Sequence, residues 1–402
     1  GMQWISYKNV ASHVLPTSVH IKDLTTSATQ ILEQNYEFDL VNQNKLLEKY
    51  IDKEITVMTD DGNITGILLS YDSGIVLRTD EGIMSVRSGI NQIKYPVLPE
   101  GLITTPTLNW LINTFTGGDH RLEVTYLTSG ITWEADYIAV VNRDDDRIDM
   151  TGWVTITNYA GTTFKDAKLK LVAGDIHFVP RGAAQLARAA GSMYEMADYS
   201  SSTQFSQEEL FEYHLYTLDR PTTIKDSQIK QVSLFTSNNV PAEKEFVFDG
   251  QNSNKIQVKL NINNTESYGL GIPLPKGVVR VYKPDSSGQL QFLGEDSIDH
   301  TPKDEQMRLY LGNAFDVVGE RKVMDHKGSY CHYTDTIEIE LRNHKDEDIV
   351  VTVIEHPRCD WDIDEENFRH VKESTSKIYW KVPVKADSSS KLTYVIDTSC
   401  WC

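Results

Sequence analysis

Period-two alternation of apolar residues is the feature that most constrains this chain. VVRVYK (278–283), DTIEIELRN (335–343) and KIYWKVPV (377–384) place Val, Ile, Leu or Trp at every second position, with turn formers between the runs. That spacing puts one set of side chains on one face of a strand, and a helix cannot use it. Helical periodicity is scarce. The stretches Val278–Glu295, Asp335–His356 and Lys377–Asp397 each hold two alternating runs around a loop of Gly, Asp, Asn, Ser or Lys, so each reads as a hairpin. The expected fold is mainly β: antiparallel, Ig-like β-sandwich domains.

Lys45–Pro96 departs from that pattern. A short amphipathic helix at Leu46–Ile51 precedes four or five brief strands separated by DDG, YDSG and TDEG turns, as in a small SH3-like or Sm-like barrel. GILLSYDSGIVL is similar to the first half of an Sm motif, and Sm proteins bind RNA. The segment carries six basic residues (Lys45, Lys49, Lys53, Arg78, Arg87 and Lys94) against eight acidic ones, a net of −2, so it lacks the basic stripe that a phosphate backbone requires. It reads as a structural barrel inserted into a larger domain. The expected organisation is an N-terminal β-domain (1–40 and 97–235), the inserted barrel (41–96) and a C-terminal β-sandwich (236–402). At 402 residues the chain is long enough for several cores.

The 58 acidic and 39 basic residues give a formal charge of −19 spread along the chain. Such a surface repels nucleic acid and anionic lipid, and leaves divalent cations, cationic ligands and basic proteins open. No apolar run is long enough for a membrane-spanning helix. The opening GMQWISYKNV lacks the basic patch and apolar stretch of a signal peptide. All four cysteines (Cys331, Cys359, Cys400 and Cys402) fall in the last quarter. Their spacing favours buried or unpaired thiols over two disulfides or a four-thiolate zinc site, since the two sulfurs of SCWC are too close in sequence for a usual zinc hook.

Several motifs taken together resemble one family. LEVTYLTSGITWEADYIAVV (122–141), TGWVTITNYAGTTFKDAKLKLVAGD (151–175), EYHLYTLDRPTTIKDSQIKQVSL (212–234), GEDSIDHTPKDEQMRLYLGNAFDV (294–317) and IELRNHKDEDIVVTVIEH look like a bacterial domain-of-unknown-function family related to mucoidy inhibitor A. The likeness runs from about Pro16 to the end. It implies an exported or envelope-associated β-protein and no established activity. Members of that family usually carry a signal peptide and further N-terminal strand sequence, whereas this chain enters partway through the first pattern.

Three clusters could carry chemistry. In FEYHLYTL, alternation puts Glu212 and His214 on one strand face, as an acid/base or metal-binding pair or as a hydrogen-bonded surface pair. Between the strands Leu290–Leu293 and Met307–Leu311, the stretch GEDSIDHTPKDE gathers carboxylates around turn formers. Asp299, Asp304 and Glu305 there could hold a hard cation through oxygen, and His300 could move a proton. Cys331-His332 with Cys400-Trp401-Cys402 is a third, softer group that lacks the C-x-x-C redox spacing. The run 181–209, rich in Ala, Ser and Gln, reads as a helix and loop inserted between strands. No nucleophile elbow, P-loop, zinc-protease helix or dinucleotide fingerprint occurs. The leading expectation is a non-enzymatic protein that binds a protein or glycan through loops at the ends of its sandwich. The alternatives are a carboxylate- or metal-based hydrolase of envelope glycan or peptide using Glu212, His214, Asp299, His300 and Glu305, or a self-assembling structural protein.

Overall fold

A computed structural model describes residues 1–174, 204–210, 213–329 and 331–401, and gives a mainly β fold of almost entirely antiparallel sheets. The chain forms two compact units. Unit 1 comprises Gly1–Ile131, Thr157–Lys165 and Thr223–Gln228; unit 2 comprises Thr132–Ile156, Asp166–Thr222 and Ile229–Cys402.

In chain order, unit 1 contains β1 (Met2–Lys8), β2 (His20–Asp23), β3 (Gln30–Glu37), α1 (Gln43–Lys49), β4 (Glu54–Thr59), β5 (Gly62–Ser70), β6 (Ile75–Thr79), β7 (Gly82–Val86), β8 (Ile90–Lys94), β9 (Thr107–Asn113) and β10 (Leu122–Thr125). Strand β9 lies between β1 and β3. Its alternate residues Leu108, Trp110 and Ile112 are buried with Val10, Ala11 and Val14, as period two requires. Helix α1 begins at Asn42, whose side chain accepts the Lys45 N–H at 3.0 Å and satisfies one of the helix's free donors. Leu47 and Tyr50 then pack on Ile55, Val57, Leu68 and Leu77 of a five-stranded sheet of order β7-β6-β5-β4-β8. β2 pairs with β10, and His120 clasps that pair through Asp23, Nδ1 to Oδ2 at 2.5 Å.

The chain continues through β11 (Ile131–Val141), β12 (Arg147–Asn158), β13 (Phe164–Ala167), β14 (Lys170–Ala173), β15 (Phe205–Leu210), β16 (Tyr213–Leu218), β17 (Thr222–Ile224), β18 (Gln228–Phe248) and β19 (Lys255–Asn263). It ends with β20 (Gly277–Pro284), β21 (Leu290–Ile298), β22 (Gln306–Gly328), β23 (His332–Asn343), β24 (Ile349–Glu355), β25 (Asp360–Glu366), β26 (Val371–Ser374), β27 (Lys377–Val384) and β28 (Ser388–Ser399). The main sheet runs β21-β20-β11-β12-β18-β19-β22-β23-β28-β25, and β24 leaves β18 to carry β27 and β26. Two strands are unusually long, β18 with 21 residues and β22 with 23. The first half of β22 pairs with β19 and the second with β23. Trp380 lies at the centre of one core, fully buried among Phe248, Ile339, Leu341, Val353 and Leu392, and stacks on Tyr394 at 4.6 Å between ring centroids.

Only one of the three expected hairpins forms. β20 and β21 pair as read from Val278–Glu295. In Asp335–His356, β23 pairs with β22 and β28 while β24 pairs with β18 and β27; in Lys377–Asp397, β27 and β28 likewise have different partners. Ile337, Ile339 and Leu341 instead meet Val351 and Val353 in a common core, so the turn carries the chain across the core rather than along one sheet. Alternation specifies which face is buried and is silent on which neighbour supplies the hydrogen bonds. The compact units also fall elsewhere than the expected 235/236 boundary, because β11 and β12 join the same sheet as β18 and β19. Most of the 181–209 run lies outside the described residues, and Phe205–Leu210 forms β15. Free thiols are not found among the described residues: Cys359 and Cys400 form a disulfide across 41 residues of sequence, and Cys331 is disulfide-bonded too.

Candidate functional site

The acidic stretch around residue 300 is resolved into strand, loop and strand. Gly294, the first residue of the stretch expected to link Leu290–Leu293 to Met307–Leu311, sits instead within β21 beside a bulge in its ladder to β20. A Cβ there would lie 2.6 Å from the Leu311 carbonyl oxygen, so only glycine permits this close backbone approach. Glu295 and Asp296 are then strand residues. Asp296 Oδ2 accepts the Tyr310 N–H at 2.7 Å and joins β21 to β22. Glu295 ends a polar row that crosses five strands. Its carboxylate meets Arg280 Nε at 3.2 Å, Arg280 Nη1 meets Asp136 Oδ1 at 2.9 Å, Thr155 donates to Asp136 at 2.6 Å, and Gln231 donates to Thr155 at 3.1 Å.

The loop 299–305 is tied down by its backbone. The Asp304 N–H donates to the Asn264 carbonyl at 2.7 Å, and the Asn264 N–H donates to the Glu305 carbonyl at 2.8 Å. Asn264 is fully buried, and its side chain reaches Ile272 and Pro302 carbonyls at 2.7 and 2.8 Å. The Asp299 carbonyl accepts the Thr301 hydroxyl at 2.9 Å, and His300 Nδ1 accepts the Lys276 N–H at 3.2 Å. His214 stands on a different, three-stranded sheet of order β14-β16-β15, with Nδ1 2.8 Å from the Gln207 amide nitrogen. Glu212 lies outside the described residues. Among the described residues, His214, Asp299, Asp304 and Glu305 do not gather into a metal-binding group, and no other set of three or more His, Cys, Asp or Glu does so.

A site that sequence reasoning missed lies on the outward face of β22-β19-β18-β24-β27 in unit 2. It is an open cleft of about 800 Å³. β18 pairs with β19 along Ala242–Phe248 but with β24 only along Phe246–Phe248, so the two strands part and the cleft opens at the fork. Glu245 anchors the floor. Its carboxylate accepts Asn261 Nδ2 at 3.0 Å and Thr352 Oγ1 at 2.9 Å, and Arg308 Nε donates to Asn261 Oδ1 at 3.1 Å. The rim carries Asp144, Asp146, Glu347, Asp348 and Glu373. Asp145 is bound by both Lys244 and Lys283, and Lys244 also lies 3.8 Å from Glu347. The lining holds eight acidic and four basic side chains.

The protonation chemistry is that of acceptors. Burial pushes the Asp145 carboxyl up, but hydrogen bonds from Lys244 and Lys283 outweigh it and the net displacement is downward. Burial likewise pushes Glu366 up, and hydrogen bonds from the Trp380 indole and His370 bring it below its ordinary value. Asp285 is held at about 2 by the Ser287 and Gln291 side chains. A carboxyl acting as general acid needs the opposite displacement. On β19, burial first and then the nearby Arg308 lower Lys259.

Glu245, Asn261, Arg308 and Thr352 come from four strands, and no local motif joins them. The signal available was a polar residue inside an apolar run, such as Thr352 in IVVTVIE, whose buried hydroxyl requires a partner. Compared with known proteins, the chain matches no family model and no curated protein.

Proposed function

We propose that this chain is an exported or envelope-associated, non-enzymatic β-protein that binds a protein partner, holding a basic, extended segment of it in the acid-rimmed cleft of unit 2. In this reading the layers around Trp380 form an Ig-like sandwich, the five-stranded sheet after α1 is a small SH3/Sm-like barrel, and the motifs resembling the mucoidy-inhibitor-A-related family mark a shared scaffold. The observation that carries the reading is the fork between β18 and β24, which leaves a groove between strands under a rim of carboxylates. Extended peptides dock at gaps and edges of sheets, and complementary charge speeds and directs the encounter. The disulfide at Cys359–Cys400 supports export, because such bonds persist in oxidising compartments. In the cleft, the lowered Asp145 carboxyl stays charged, as a site for a basic segment requires.

The test is calorimetric titration with a lysine-rich decapeptide and its glutamate-rich counterpart, on wild type and on a Glu243→Lys/Asp348→Lys variant. The basic peptide binds wild type, more tightly as salt is lowered, and charge reversal removes the binding. Equal affinity for both peptides, or affinity indifferent to the reversal, defeats the proposal.

A further inference from the structure

Unit 2 contains a second cleft, of about 660 Å³, on different residues from the first. Arg321 and Glu355 form its floor in a two-pronged pair, Nε to Oε1 at 2.7 Å and Nη2 to Oε2 at 3.1 Å. One wall is the turn 250–252 after β18, and the other is the segment 356–358 between β24 and β25. The walls are bonded to each other: the His356 N–H donates to Gln251 Oε1 at 3.0 Å, and His356 Nε2 meets Asp249 Oδ2 at 3.0 Å. Asn252 donates to the same Asp249 oxygen at 2.7 Å. Immediately behind Arg358, the Cys359–Cys400 disulfide fixes the second wall to the end of β28. Tyr333 stands at the rim with its ring 5.4 Å from that of His326.

We propose that this second cleft binds a neutral, hydroxyl-rich ligand of the saccharide class. Its charges balance, with Arg321 and Arg358 against Glu355 and Asp335, in a chain whose formal charge is −19. The lining itself therefore singles out neither an anion nor a cation. What the lining offers is a dense set of planar donors and acceptors: guanidinium, carboxylate, amide and phenol. A sugar hydroxyl both donates and accepts, so it can use such groups in pairs, and the C–H face of a sugar ring can pack on an aromatic ring such as Tyr333. The volume falls within the range of small-ligand sites, and walls already cross-bonded lose little freedom when a ligand enters.

The test is an array of immobilised neutral and acidic oligosaccharides probed with the labelled full chain, followed by titration of the retained glycan. Wild type retains one or more neutral oligosaccharides, and Tyr333→Ala and Arg358→Ala each weaken binding at least about tenfold, the loss of a hydrogen bond to a charged group or an aromatic contact. Both side chains are partly exposed, and an unchanged thermal melt shows that the variants remain folded. Glu243→Lys/Asp348→Lys leaves saccharide binding intact, which separates this site from the acid-rimmed cleft. Retention of acidic glycans only, no neutral glycan retained, or affinity unmoved by both rim substitutions overturns the proposal.

Discussion

Replacing Glu355 with Gln isolates the energetics of the most deeply buried ion pair described in unit 2. Glu355 is 2% exposed and receives two hydrogen bonds from Arg321. Tyr394 lies beside the pair; burial first, and then the neighbouring carboxylate, push its phenol up, so it stays neutral. Removing one partner of a buried pair costs about 3–5 kcal/mol, because the surviving charge loses its counter-ion. The Arg321 side chain keeps 19% exposure, so water relieves part of the penalty and the expected loss is about 3 kcal/mol. At 1.4 kcal/mol per factor of ten, backbone amides in β22, β23 and β24 exchange hydrogen on the order of a hundredfold faster. Arg321→Met/Glu355→Leu removes both charges and returns stability to within about 1 kcal/mol of wild type. A loss below about 1 kcal/mol in Glu355→Gln, or a double variant no better than the single, refutes this reasoning.

Further predictions follow from other contacts. Cys359→Ala/Cys400→Ala opens a loop of 41 residues of sequence separation and lowers stability by about 4 kcal/mol on the chain-entropy estimate, read as a fall in urea midpoint relative to the oxidised protein. Gly319→Ala places a Cβ 2.4 Å from the buried Phe248 ring and costs about 1–3 kcal/mol, whereas Gly312→Ala, which meets no atom within 4 Å but has φ of 139°, tests strain alone. The Asp23–His120 clasp has a definite pH window. The Asp23 hydrogen bond, then the Thr116 carbonyl, raise His120, whose contribution is complete below its ordinary 6.5 and fades as pH rises through the raised value. Thr29, then His120 against the cost of burial, lower Asp23, whose contribution is present above its ordinary 3.8 and fades as pH falls through the lowered value. Exchange protection of β2 and β10 is therefore greatest between about pH 4 and 6.5, and His120→Asn flattens the decline on the alkaline side.

The sequence disclosed buried faces more readily than neighbours. Alternation in Asp335–Leu341 and Lys377–Val384 correctly marked Ile337, Ile339, Trp380 and Val382 as interior, yet left hairpin and core-crossing turn indistinguishable, since both bury the same side chains. The helix and the short strands of 45–96 were legible because the amphipathic run and the DDG, YDSG and TDEG turns act locally, although the helix begins at Gln43, three residues before the expected Leu46. Gly294 was placed in the linking stretch rather than in the strand because its role depends on the Leu311 carbonyl, a partner 17 residues away. The cysteines were misjudged for a related reason: the spacing within SCWC concerned the wrong pair, and Cys400 bonds to Cys359. Neither cleft was visible, because Glu245 with Thr352, and Arg321 with Glu355, meet only after distant strands have paired.

The lengths of β18 and β22 bear on how unit 2 can be divided, whether by evolution or by an experimenter. β22 gives its first stretch to β19 and its latter half to β23, whereas the end of β18, Phe246–Phe248, pairs with β19 on one side and β24 on the other. A break in either strand strips hydrogen bonds from both of its partners, so neither portion is a free-standing module. The two clefts inherit that dependence. Glu243 and Glu245 belong to β18, whose last residue Phe248 leads into the 250–252 turn of the second cleft, and Arg308 and Arg321 sit 13 residues apart on β22. Any cut that separates the two clefts therefore runs through a strand that both of them use.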